Sequence, residues 1–122
     1  MSSKYEYSQF NGSGEVSDEA GSVDIVSNPG SVTYLNIERG SISISRAADG
    51  GGGYVRIQDT LGNVIYTVSA DGVKDFPFDW GDEGKQIGPD VGIQVITAGA
   101  QNSQATASVV VNGHRTFRVK KS

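Results

Sequence analysis

Apolar and polar residues alternate along most of this chain. In SISISRA (41–47), Ile42, Ile44 and Arg46 share one parity and the serines share the other. That is the period-2 pattern of a strand with one buried face. The alternation returns in YVRIQDT (54–60), NVIYTVS (63–69), GIQVITA (92–98) and ATASVVV (105–111). Shorter or less regular runs, VDIV (23–26), VTYLNIE (32–38), VKDFPFD (73–79) and HRTFRV (114–119), read the same way. Between them lie turn signals: Asn28-Pro29-Gly30, Arg39-Gly40, ADGGGG (48–53), Leu61-Gly62-Asn63, Ala70-Asp71-Gly72 and Asn112-Gly113. Pro77 cannot donate to a ladder, so its run is expected at a sheet edge or a bulge. No window repeats apolar residues at helical spacing with caps around it.

Short strands with turn signals at roughly 8- to 12-residue intervals predict an all-β antiparallel sandwich, with a jelly roll as the first choice. Residues 1–22 stand apart. MSSKYEYSQFNGSGEVSDEAGS is rich in Ser, Gly and acids, and little apolar area offsets the entropy of ordering it. It reads as a flexible polar N-terminal arm before a β-sandwich domain over 23–122. Three aromatics in it, Tyr5, Tyr7 and Phe10, are candidate anchors for a partner or a neighbouring subunit. The alternative is an arm folded back on its own domain.

Composition narrows the function classes. A length of 122 residues fits one domain with a single core. The 17 glycines follow no G-X-Y period and point to turns. Without cysteine there is no disulfide framework, thiolate metal site or Cys nucleophile. A formal net charge of −4 makes general nucleic-acid binding unexpected, although Arg115, Arg118, Lys120 and Lys121 gather at the C-terminal end. No apolar run approaches the roughly 18 residues that span a bilayer, and no secretory signal pattern is visible. Neither nucleic acid nor membrane is an expected partner.

The motifs for chemistry are missing. GDEGK (81–85) has two residues between its glycines and Gln86 after Lys85, where a phosphate loop needs four and Ser or Thr. Gly50 to Gly53 precede a strand pattern rather than a helix, which excludes a dinucleotide fingerprint. His114 is the only histidine, and no G-x-S-x-G elbow accompanies it. The acids Asp79, Asp82, Glu83 and Asp90 are dense enough to raise a calcium reading, but they lack EF-hand spacing and read first as solubilising loop charge. No catalytic residue, metal site or cofactor is predicted. A second reading is a carbohydrate-binding module of a phage fibre or adhesin, with Trp80 as a stacking platform beside Asp79 and Asp82. Against it, Trp80 reads as a ring that closes the end of the core.

The stretch from Asp71 to Phe117, DGVKDFPFDWGDEGKQIGPDVGIQVITAGAQNSQATASVVVNGHRTF, resembles small structural proteins of tailed bacteriophages, of the capsid decoration or cement kind. The likeness lies in a glycine-rich acidic turn, a GIQ-type strand, an Ala/Ser/Gln-rich stretch and a strand closing on Gly-His. The resemblance implies a β-sandwich or jelly-roll protomer, often a homotrimer, on the virion surface. Its partner would be the major capsid protein, bound on the outer capsid lattice without chemistry. On this reading the polar arm makes the capsid contact, and deleting residues 1–22 weakens binding while the β-domain stays folded.

Overall fold

The computed structural model of the chain describes residues 5–17, 21–30, 32–48, 53–98 and 105–118, with side chains of the first segment described from Gln9 and of the last through Phe117. Among the described residues nine strands follow in chain order: β1 (Tyr5–Val16), β2 (Ser22–Val26), β3 (Thr33–Arg46), β4 (Tyr54–Asp59), β5 (Val64–Ser69), β6 (Lys74–Asp79), β7 (Lys85–Ile87), β8 (Ile93–Ala98) and β9 (Thr106–Arg118). They form two antiparallel sheets, a larger one ordered β1-β9-β3-β6 with β7 also on β3, and a smaller one ordered β2-β8-β4-β5. Apart from the β4–β5 hairpin and short β7, successive strands switch sheet. This interleaving of a five-stranded and a four-stranded sheet is jelly-roll connectivity, within the antiparallel sandwich that the alternation predicts.

The core is the space between the two inner faces. Ile42 and Ile44 on β3 pair with Val109 and Ala107 on β9, and Gly14 and Val16 of β1 continue the same rows. Val55 and Ile57 on β4 and Ile93 and Val95 on β8 fill the facing sheet, and all four are buried. Each fully buried Ile, Leu or Val side chain contributes roughly 1.5–3 kcal/mol relative to exposure. A buried Thr97 hydroxyl donates to the Tyr54 carbonyl at 3.1 Å, so the polar group inside the layer is satisfied.

Three segments depart from the sequence expectation. The segment assigned to a polar arm contains β1, twelve residues paired with β9 from Tyr5↔Arg118 to Val16↔Ala107. Its inward positions are Phe10, Gly12, Gly14 and Val16, a period-2 face on which two members are glycine. A Cβ on Gly12 would lie 2.5 Å from Val26 Cγ2 and 2.6 Å from the Ile25 carbonyl oxygen. Backbone contact with β2 replaces side-chain contact there. The second departure is at Arg39-Gly40, where a register shift between Ile37 and Arg39 lets one long β3 run through the expected turn. The third is at Asn112-Gly113, which lies inside β9 because Gly113 packs under the Asn36 carbonyl, where a side chain would collide. Pro77 does fall in an edge strand, β6, opposite Ser41.

Candidate interaction face

The outer face of the larger sheet carries the residues that alternate with the core. One row crosses it as Ser13, Val110, Ser41 and Pro77, and the next as Glu15, Ser108, Ser43 and Asp75. Val110 is 42% exposed in the middle of these small polar side chains. Small side chains follow from the strand pattern itself, since the outward parity of SISIS and TASVV is Ser and Thr with one Val. Beside them an open depression is lined by Arg39, Ser41, Pro77, Asp79, Val110 and Asn112.

Toward the β7 end the same face becomes a connected polar network. Arg39 reaches Glu38 at 3.3 Å, Asp82 at 3.3 Å and Asp79 at 3.6 Å. The hydrogen bond that Arg39 donates to Asp82 and the charge of Asp79 push the guanidinium pKa still higher. Glu38 also meets His114 Nδ1 at 2.7 Å, with both side chains largely buried. Asn36 donates to the Thr116 hydroxyl at 2.5 Å and accepts from Gln86 Nε2 at 3.1 Å. Register sets Gln9 and Asn36 on either side of His114. The positions opposite His114 in both neighbouring strands therefore hold amides.

The predicted site residues are dispersed. Asp79 and Asp82 converge on Arg39 rather than on a shared cation position, and Asp90 accepts a 3.0 Å hydrogen bond from Asn28. Among the described residues no three His, Cys, Asp or Glu side chains are grouped as metal ligands. Trp80 is half-buried and packs on Phe78, ring centroids 4.6 Å apart, and edge-on to Tyr66 at 5.9 Å, with Lys85 Nζ 5.3 Å from its ring. Its N–H of the main chain donates to the Glu38 carbonyl at 2.6 Å. That is the core-closing arrangement, with the ring packed against the core cluster. Phe10 is 4% exposed and belongs to the core, so it cannot serve as an external anchor. Tyr5 and Tyr7 are strand residues of β1 whose side chains lie outside those described. Arg115 covers Phe10 at 5.8 Å and donates to the Gln9 carbonyl at 3.0 Å. Among the described residues no helix is long and apolar enough to cross a membrane.

No protein-family model matches this chain, and no curated protein matches it. Solved structures do. A chain of the Bacillus endospore appendages, described as a novel family of disulfide-linked pili, is 11% identical with a TM-score of 0.48, covering 97% of this chain and 93% of that one. Chains of infectious bursal disease virus, strains Gt and Gx, are 12% and 15% identical with TM-scores of 0.31 and 0.27. They cover 95% and 97% of this chain, which spans only 36% and 34% of theirs. The present sequence contains no cysteine. Its fold assignment rests on strand order and register rather than on these likenesses.

Proposed function

We propose that this protein is a non-enzymatic structural component of a virion, a decoration or cement protein that lays the outer face of its larger sheet on the outer capsid lattice. The observation that carries the reading is the surface around Val110, an exposed apolar side chain set among Ser13, Ser41, Ser108 and Asn112. Short side chains lose little rotamer freedom on burial. Hydroxyls and amides accept as well as donate, so a flat partner of either polarity is matched. The partner is the major capsid protein in its assembled form. A protein that binds only the assembled shell stabilises it by mass action, and no bond-making group is needed for that.

Quantitative mass spectrometry of purified virions from the phage that encodes the chain tests this reading. The expected copy number is comparable to that of the major capsid protein or a simple fraction of it. A handful of copies, or none, would refute capsid decoration. Val110→Glu sharpens the test on the molecule itself. It should abolish co-sedimentation with empty capsids while the thermal melt stays close to that of the parent, because the position is exposed.

A further inference from the structure

Among the described residues, and besides three-residue β7, the two sheets end in four edge strands, and three of these carry features that discourage pairing with another chain. On β6, Pro77 removes a donor at the centre, and Lys74, Asp75 and Asp79 place charge along the rest. On β5, six residues long, the register shifts beside Val64, and Lys85 Nζ donates to the Ile65 carbonyl at 3.2 Å. On β2, five residues long, the register shifts between Asp24 and Val26. These are the usual protections of a sheet edge. β1 differs. It runs for twelve residues against β9 without a register shift, has no proline, and carries no charge between Glu6 and Glu15. Gly12 and Gly14 hold its backbone down on β2, where added side chains would collide with Ile25 and Val26 or with Ile25 and Val23. Arg115 bonds to the Gln9 carbonyl, which has a second lone pair to offer.

We infer that the outer edge of β1 pairs antiparallel with β1 of a second copy of this chain, joining two larger sheets into one across a two-fold axis. The sequence of β1 is self-complementary in that geometry. A two-fold axis perpendicular to the sheet sets residues opposite one another only when their numbers sum to an even number, with like faces kept together. Glu6 and Glu15 sum to an odd number and so never face each other, and in the register centred on Asn11 neither faces its own copy, because Glu6 lies opposite Val16 and Glu15 opposite Tyr7. The outward residues Gln9, Asn11 and Ser13 each carry a donor and an acceptor. In the register centred on Asn11, Asn11 meets its own copy and Gln9 meets Ser13 of the partner subunit, so each facing pair holds donors and acceptors, as an isologous interface demands. This inference does not rest on the capsid reading, since the chain can dimerise through β1 whether or not Val110 meets a shell.

The test uses the full chain in sedimentation velocity across a concentration series. The parent should form a dimer. Asn11 and Ser13 are exposed on the outer face, and cross-strand like charges destabilise pairing. Asn11→Lys with Ser13→Lys, and separately Asn11→Glu with Ser13→Glu, should each weaken the dimer at least about tenfold. Mixing the basic and acidic variants one to one should restore dimers, which misfolded chains would not do. A monomeric or trimeric parent would overturn the inference. So would charge variants that dimerise like the parent, or folded variants that stay monomeric when mixed.

Discussion

The two long sides of the sandwich are closed in opposite ways. On the β1 side the sheets meet through glycine, with Gly12 and Gly14 setting β1 backbone against Ile25, Val26 and Val23 of β2. On the β6 side they meet through the largest side chains available, Phe78 and Trp80 from the larger sheet against Tyr66 of β5. The aromatic side is held further by Arg39 to Asp79 and Asp82 and by Lys85 on the Ile65 carbonyl. The same closure thus comes from backbone contact at one side and from ring packing at the other. The first tolerates no added volume, and the second tolerates no lost volume.

Removing residues 1–16 breaks the glycine side outright and should have the largest effect. It strips β9 of one of its two partner strands and takes Phe10 and Val16 out of the core. Each of those burials contributes roughly 1.5–3 kcal/mol, so loss of the cooperative thermal transition is expected. This reverses the outcome that a flexible arm would give. A truncated chain that melts like the parent would show that β1 is dispensable. Gly12→Val probes the same side with one residue. The branched side chain has nowhere to go between Val26 and the Ile25 carbonyl, and overpacking against backbone should destabilise by about 3 kcal/mol in urea titration.

Phe78→Ala tests the opposite side, by subtraction. Its ring contacts Tyr66 at 5.1 Å and Trp80 at 4.6 Å between centroids, but it is only half-buried. A loss of about 2 kcal/mol is expected, below the range for fully buried phenylalanine. Larger aliphatic replacements such as Phe78→Leu should recover part of it. On the glycine side no added volume can recover anything. If Phe78→Ala were neutral, the rings would be a surface ornament and the Trp80 platform reading would regain ground.

The same contrast explains what was legible in the sequence. Strands whose buried face is filled by side chains announce themselves, as Ile42 and Ile44, Val55 and Ile57, and Val109 and Val111 do. β1 keeps the same period, Phe10-x-Gly12-x-Gly14-x-Val16, but half of its inward positions are glycine. A reading based on apolar residues sees only a polar, flexible segment. Gly113 misleads for a related reason: Asn-Gly is a hairpin signal, yet here the glycine makes room for the Asn36 carbonyl within a continuous strand. Arg39-Gly40 conceals a bulge rather than a turn. The aromatic side was legible in part, with Trp80 recognised as a core-closing ring. The candidate face was legible in the serines of SISIS and the small residues of ATASVVV. Its salt-bridge network was not, because it joins Glu38 and Arg39 to residues forty or more positions away.

The smallest predicted effect concerns the turn that fixes β5, and with it Tyr66, on the aromatic side. The Asp59 carboxylate accepts hydrogen bonds at 2.9 Å from the Leu61 and Asn63 backbone N–H groups and from the Asn63 side-chain amide. Burial alone would raise its pKa, but these donors outweigh it and hold the carboxyl below its ordinary value of 3.8. A carboxyl depressed on folding contributes stability that is complete above the unfolded pKa and is lost as pH falls through the folded one. Asp59→Asn removes this contribution and sets an amide N–H toward the Asn63 amide, at a cost of about 1 kcal/mol. The melting temperature of the parent should therefore exceed that of the variant by a constant margin from neutral pH down to roughly pH 5. The margin should then shrink as the solution is acidified below pH 4, because the parent loses its ionised carboxylate and the variant has none to lose. A margin that stays constant to pH 2 would mean that the turn is held by shape alone.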